Sequence, residues 1–184
     1  MNLHLINTVI LAMMLNAGSS DIDFFPKQLT REIKKISGIN KPVSTEIQTF
    51  KGITIDTSQG KFLKYHSALP VAYSYAGRVF TCRAEGCQAK RDHPVNEKSS
   101  EYFDYFILYD STASILSVHV YNYEATHGQE ISVKSWLNQF AGFNGDKELI
   151  VGKDIDAISG ATVSVHSISD DIVQKTNLLR EYLK

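Results

Sequence analysis

This sequence has few cysteines and almost no net charge. Its 184 residues include 2 cysteines, and the formal net charge is -1 at pH 7. A chain without an excess of positive charge lacks the electrostatic surface that attracts DNA, RNA or an anionic membrane. The 6 histidines are scattered, and none has metal-ligand spacing with a partner. We therefore expect no nucleic-acid partner and no metal site.

The sequence also lacks an N-terminal apolar run long enough to span a bilayer comfortably. Residues 3–15 are mostly apolar and carry no charged side chain, and the small residues Ala-Gly-Ser follow at 17–19. This order is typical of a secretory signal peptide, although no Lys or Arg precedes the apolar core. The alternative is a buried N-terminal helix. We predict a signal peptide over residues 1–17 and an exported protein at the periplasmic or extracytoplasmic face of the membrane.

The two cysteines, Cys82 and Cys87, lie close together in the sequence. In an oxidising compartment a disulfide between them can persist. It would close only a small loop, so its stabilisation would be at or below the roughly 3 kcal/mol expected for a 15-residue loop. The spacing differs from the Cys-x-x-Cys of redox dithiols. We expect a structural bridge or free thiols, with a redox or metal role as the alternative.

Hydrophobic periodicity predicts a single domain with no internal repeat. A helical pattern covers residues 26–36 and stops at Gly38, and β-branched and aromatic residues predict strands at 61–67 and 71–82. Residues 102–109 and 113–123 have the pattern of a hairpin, which we expect at the centre of the sheet. A weak edge strand is predicted near residues 50–55.

The last third of the chain changes from strand to helical periodicity. A helix is predicted over residues 130–142, a short strand at 148–152, and a final helix from about residue 162 almost to the C-terminus. This order of elements predicts an α+β fold, an antiparallel sheet with flanking helices. Residues 18–100 and 101–184 are expected to belong to this one domain.

Residues 154–166, DIDAISGATVSVH, combine acids, small residues and hydroxyls directly before the last helical pattern. If the helix begins near Thr162, its unpaired amides and its dipole favour a phosphate at that end. Ser159 or Thr162 is a candidate N-cap, and Gly160 and Ala161 leave the approach to the backbone open. On residue types alone, the segment is more typical of a helix N-terminus without a ligand.

Residues 156–162, DAISGAT, resemble the Asp-x-x-Ser/Thr-Gly-Ala-Thr flavinylation motif of the FMN-binding domain family. That family includes the flavin-bearing subunits of sodium-pumping NADH:quinone oxidoreductases and of Rnf-type complexes. Residues 123–143, YEATHGQEISVKSWLNQFAGF, are similar to its Gly-containing turn and W…QF helix. The likeness covers roughly residues 101–180. The turn at 126–129 reads THGQ and lacks the family's Pro-Gly-Leu-Gly form, which leaves the flavin contact at this turn open.

The resemblance implies FMN joined through its phosphate to the Thr162 hydroxyl. A separate Mg-dependent flavin transferase would install the FMN from FAD outside the cytoplasm. The resemblance favours an electron-transfer protein over a stand-alone oxidoreductase, because the flavin supplies the redox chemistry and the protein needs no catalytic acid or base. Electrons would pass from a membrane quinone-linked or NADH-linked donor to another redox partner protein. The alternatives are a module that binds flavin or a small ligand non-covalently and a small flavin reductase.

Further site residues follow from the same resemblance. Asp156 is a candidate for recognition or metal coordination during attachment, and Ser159 for capping or shaping the turn. The polar residues of the Gly-containing turn are candidates for the flavin edge, with a solvated loop as the alternative. The nearby aromatics are candidates for bordering the ring, with burial in the core as the alternative. The candidates comprise the amides of Gly160, Ala161 and Val163 for the phosphate, and Thr126, His127, Gly128, Glu130, Trp136 and Phe140 for the ring.

Overall fold

The computed structural model describes residues 21–50, 53–54, 58–66, 69–81 and 101–184. The predicted signal peptide at residues 1–17 and both cysteines, Cys82 and Cys87, lie outside these ranges. Within the described part of the chain, no helix combines the length and apolar character needed to cross a membrane.

In the part of the chain that the structure describes, the main sheet has five strands, and each neighbouring pair is antiparallel. Helices flank it, which confirms the predicted α+β class. The described strands are β1 (Ser44–Ile47), β2 (Thr49–Phe50), β3 (Ile53–Thr54), β4 (Gly60–Tyr65), β5 (Tyr73–Thr81), β6 (Glu101–Tyr109) and β7 (Ile115–Tyr123). Their order in the main sheet is β1-β4-β5-β6-β7, and β2 pairs with β3 separately.

The predicted hairpin of β6 and β7 forms, but only β6 is interior. Strand β7 lies at one edge of the described sheet, so the prediction that both arms are central was wrong for β7. The chain after β7 turns into short helices and does not return as another strand. Part of the edge is covered, because the Gly142 amide donates to the Ile115 carbonyl at 2.8 Å and the Ile115 amide donates to the Phe143 carbonyl at 2.9 Å.

Both faces of the sheet are buried, which explains the nearly continuous apolar sequence of β6. Successive side chains of a strand point to opposite faces. Phe103 and Tyr105 belong to one hydrophobic cluster, and Phe106 and Leu108 belong to the other. The sheet therefore separates two helical layers.

Helix α1 (Lys27–Ser37) covers one face of the sheet and confirms the helix predicted at 26–36. Its apolar stripe buries Leu29 and Ile33 against the sheet. Gly38 ends the helix in the left-handed conformation, with φ 76°, and its amide donates to the Lys34 carbonyl at 2.8 Å. A glycine adopts this conformation without the steric cost of a Cβ.

A polar cluster joins α1 to β7 on this face. Glu32 of α1 lies 3.7 Å from the His119 ring nitrogen and 3.8 Å from the Lys134 ammonium, and it accepts a hydrogen bond from Ser117 at 3.4 Å. The His119 ring stacks on Phe106 with a centroid distance of 5.1 Å. Burial lowers the pKa of His119, and the opposing attraction of Glu32 does not cancel that effect.

Because the pKa of His119 is lowered on folding, the unfolded chain binds this proton more readily than the folded chain. We expect the free energy of unfolding to fall as the pH drops below about 6.5, the ordinary histidine pKa, and through the lower pKa of the folded state. Urea unfolding between pH 5 and 8 measures the slope. His119→Phe should flatten it, whereas the exposed His166, changed to Phe, should not. An unchanged slope in His119→Phe would contradict this assignment.

Helix α3 (Thr162–Leu183) packs on the opposite face. The stripe predicted from helical periodicity is buried at Val165, Ile168, Ile172 and Leu179, and its last member, Tyr182, is partly buried against the same core. The N-terminus of this helix lies at the end of the sheet where β5 ends and β6 begins, since Thr81 and Ser164 line the same pocket.

Two local predictions before α3 were wrong. Residues 130–142 do not form one helix but three short ones: a 3₁₀ turn (Gln129–Ser132), α2 (Lys134–Leu137) and a second 3₁₀ turn (Asn138–Phe140). The first break is at Val133, which is extended with ψ 124°. The strand predicted at 148–152 is reduced to an isolated bridge between Val151 and Ile155. Tight turns around Gly152 pair the backbone groups of this segment with one another.

A buried ion pair and an asparagine bonded to it join three strands on the α1 side of the sheet. Arg78 of β5 donates two hydrogen bonds to the Asp104 carboxylate of β6, at 2.7 and 2.9 Å. Asn122 of β7 donates a third at 2.9 Å. The Arg78 and Asp104 side chains are only 6% and 2% exposed, so these bonds replace nearly all of their hydration.

Candidate functional site at the start of helix α3

A pocket of about 200 Å³ opens at the N-terminal end of α3. Thr81 and Glu101, which are paired at the ends of β5 and β6, form part of its wall. His127 and residues 160–164 complete the lining. The walls of the pocket are therefore formed both by the predicted motif and by residues that are distant from it in the sequence.

Thr162 is the first residue of α3 and its side chain is exposed. The N-cap is Ala161, which has no side-chain cap, so the prediction that Ser159 or Thr162 caps the helix was wrong. The reason is geometric: Thr162 already lies within the helix, and Ser159 lies two residues before the cap. The first-turn amides have no partner inside the helix. No acceptor for them is found among the described residues, so an acceptor in the pocket can bind there.

Gly160 shapes the backbone immediately before the cap. It has φ 83°, in the left-handed region that favours glycine, and the next amide, that of Ala161, donates to the Ile158 carbonyl at 3.1 Å. A Cβ placed at Gly160 would meet nothing within 4 Å. The approach to the backbone is therefore open on this side, as we predicted from the small residues Gly160 and Ala161.

The Thr81 hydroxyl is a buried polar group in the pocket wall. The residue is 6% exposed, and its Oγ1 has no hydrogen-bond partner among the described residues. A buried hydroxyl without a partner is uncommon and costs free energy unless a ligand or water satisfies it. The Thr81 oxygen has almost no accessible surface, so the donors offered to an anionic ligand in the pocket are the first-turn amides of α3.

The Gly-containing turn is held against the first turn of α3. The Tyr123 hydroxyl donates to the His127 carbonyl at 2.5 Å and lies 3.0 Å from the Ser164 hydroxyl. Burial raises the pKa of Tyr123, which keeps this phenol protonated and able to donate. Thr126 donates a further hydrogen bond to Glu101. The structure thus places the two predicted segments side by side.

Gly128 is the point of closest approach between these segments, and alanine there should be costly. It has φ 89°, and an added Cβ would lie 2.5 Å from the Ser164 hydroxyl and 2.9 Å from that of Tyr123. The control is Gly38→Ala, because Gly38 has φ 76° but open space around a Cβ. We expect Gly38→Ala to cost about 1–2 kcal/mol for the backbone alone. Gly128→Ala should cost about 1–3 kcal/mol more, measured by urea unfolding. Equal losses would show that the contact relaxes freely.

Trp136 and Phe140 lie in the core next to the motif and do not line the pocket. Both are buried, and their rings meet edge to face at 5.5 Å. The Trp136 indole nitrogen donates to the Asp156 carbonyl at 2.8 Å. The structure thus places Trp136 as a contact of the motif backbone.

The sequence candidates divide into two groups. His127, Gly160, Ala161, Thr162 and Val163 line the pocket. The others do not line it, and they comprise Thr126, Gly128, Glu130, Trp136, Phe140, Asp156 and Ser159.

Sequence reasoning missed the contributions of Thr81, Glu101, Tyr123 and Ser164. No local pattern indicated them, since Thr81 and Glu101 reach the pocket through the pairing of β5 with β6, and Tyr123 meets Ser164 through the packing of α3. No known protein-family model matches the chain, and no curated protein is significantly similar to it. The interpretation of the site therefore depends on its own residues.

Proposed function

We propose that this protein is an exported flavoprotein that carries FMN in phosphoester linkage to Thr162 and acts as an electron-transfer carrier. The observation that carries the proposal is the position of Thr162, exposed at the first residue of α3 and lining a pocket with open backbone amides. This position ends the DAISGAT segment that resembles a flavinylation motif.

The backbone at the start of α3 suits a phosphate. Amides at a helix N-terminus and the positive end of the helix dipole stabilise a negative group there. The Thr81 hydroxyl, which has no partner among the described residues, is buried in the wall of the same pocket. Gly160 and Ala161 are small, so a phosphate can approach the backbone closely.

Attachment would join the Thr162 oxygen to the phosphorus of the FMN half of FAD. The pyrophosphate bond would break, AMP would leave, and the hydroxyl proton would pass to a base of the Mg-dependent transferase. The bound FMN would supply one-electron and two-electron chemistry. A covalent bond would also prevent loss of the flavin by dilution outside the cytoplasm.

The size of the pocket favours a carrier over an enzyme with an enclosed substrate site. Pockets that enclose drug-sized ligands usually have volumes of about 300–1,000 Å³. The pocket here, at about 200 Å³, is large enough for a phosphate and its neighbours but not for a whole flavin and a substrate together. Part of the flavin would then face solvent, where redox partner proteins at or near the membrane can approach it.

The second candidate is a module that binds a phosphate-bearing ligand without a covalent bond. The same first-turn amides favour it, because they can bind an anion whether or not Thr162 reacts. This candidate needs no transferase.

Coexpression with a flavin transferase separates the two candidates. After denaturation, covalent attachment predicts an intact mass raised by one FMN less one water, together with in-gel flavin fluorescence. Flavin that is present in the native protein but released on denaturation would support the non-covalent module. An unmodified chain without bound flavin would overturn the proposed function.

A further inference from the structure

The peptide groups on both sides of Asp156 are fixed by side chains from the neighbouring short helices. The Asp156 amide donates to the side-chain oxygen of Gln139 at 2.8 Å. The Asp156 carbonyl accepts from the Trp136 indole nitrogen at 2.8 Å. The two side chains lie three residues apart, on successive helical turns that share one face. We call this pair of contacts the Trp136–Gln139 clamp.

The clamp has a rigid support. Trp136 is 7% exposed and packs edge to face on the fully buried Phe140. Tightly packed core side chains have few alternative positions. The clamp therefore holds the Asp156 backbone in a fixed position relative to the core.

The Asp156 carboxylate itself projects from an exposed segment. Ile155 and Ala161 are 1% and 2% exposed and anchor the two ends of the segment. Between them, Asp156, Ser159 and Gly160 are exposed. No described residue forms a hydrogen bond or ion pair with the Asp156 carboxylate, although its backbone is held on both sides.

The two contacts satisfy the polar backbone groups of Asp156 but leave its carboxylate without a partner among the described residues. A solvated loop acid can be stabilised by water without two side-chain contacts to its peptide groups. Holding a recognition group in one position lowers the conformational entropy lost when a partner binds it. The geometry therefore suits an acid that another protein recognises.

We propose that Gln139 and Trp136 are positioning residues that present the Asp156 carboxylate to the enzyme that modifies Thr162. This inference rests on the proposed function and adds to it the surface that the transferase recognises. Gln139 acts only through the Asp156 peptide, so its effect must depend on the Asp156 side chain.

Gln139→Leu removes the acceptor and keeps a side chain of similar size. Gln139→Glu retains an acceptor oxygen, and Gln28→Leu changes an exposed glutamine on α1 as the matched control. Hydrogen exchange of the Asp156 amide, measured by NMR without any transferase, should be about fivefold faster in Gln139→Leu, in keeping with the loss of one hydrogen bond. Gln139→Glu and Gln28→Leu should leave it nearly unchanged. Unchanged exchange in Gln139→Leu would overturn the clamp.

Attachment kinetics test the recognition step, with the acceptor protein varied at saturating FAD and Mg²⁺. For Gln139→Leu we expect the KM for the acceptor protein to rise about tenfold, with kcat within about twofold of wild type, because binding and not chemistry is impaired. Gln139→Glu should keep the KM near the wild-type value, because it retains the acceptor oxygen. A merely structural role would lower the melting temperature without this selective change in KM.

A double-mutant cycle decides whether Gln139 acts through Asp156. In an Asp156→Asn background, Gln139→Leu should have little further effect on the KM. Additive effects would overturn the inference, as would attachment at the wild-type rate in Gln139→Leu when wild type is modified. An unmodified wild-type chain would instead overturn the proposed function together with this inference.

Discussion

Thr162→Val should abolish covalent flavin attachment while leaving the fold intact. Valine has nearly the shape of threonine but no hydroxyl, so it cannot form the phosphoester. The residue is exposed at the start of α3 and makes no side-chain cap, and a surface change of this kind usually alters stability by about 0.5 kcal/mol or less. Intact mass and in-gel fluorescence after coexpression with a transferase should show no flavin, and the circular dichroism spectrum should match wild type.

Two variants make this result specific. Thr162→Ser keeps the hydroxyl and should still accept flavin. Thr30→Val removes a hydroxyl from an exposed position on α1, far along the chain from the motif, and should be modified as wild type is. A Thr162→Val protein that still gains the mass of one FMN less one water would place the attachment at another residue.

Asp104→Ala should destabilise the fold strongly. It removes the acceptor of three hydrogen bonds and takes from the buried Arg78 guanidinium the carboxylate that neutralises its charge. Breaking a buried pair in this way typically costs about 3–5 kcal/mol. Urea unfolding followed by circular dichroism should show the midpoint shift at an unchanged slope.

The control for Asp104→Ala is a less buried pair in the same sheet. Lys61 and Glu46 approach to 3.1 Å, but both side chains are 26% exposed. Glu46→Ala should therefore cost only about 0–1 kcal/mol. A loss for Asp104→Ala that is no larger than this would show that water replaces the missing carboxylate.

The regular elements were predictable wherever a local pattern was strong. Helix α1 followed from its apolar stripe and the glycine that ends it, and α3 followed from the stripe that contains Ile168 and Ile172. In both cases one face packs on a sheet, so burial imposes the helical period directly on the sequence. The aromatic and β-branched composition of β5 to β7 was similarly informative.

The irregular stretch before α3 was not predictable in the same way. Helical spacing at 130–142 reflects which side chains are buried, but three short helical turns bury the same residues as one helix. The edge position of β7 in the described sheet depends on the strand order, which periodicity within one strand does not report.

The sequence alone determined that a threonine would stand at the start of the last helix with glycine and alanine before it, because helical periodicity and turn-forming residues act over a few neighbouring positions. Only the tertiary structure decided what surrounds that threonine. The pairing of β5 with β6 brings Thr81 and Glu101 to the pocket, and the packing of α3 brings Ser164 to Tyr123. Such contacts join residues far apart in the chain, so each depends on the complete path of the backbone and leaves no local pattern in the sequence.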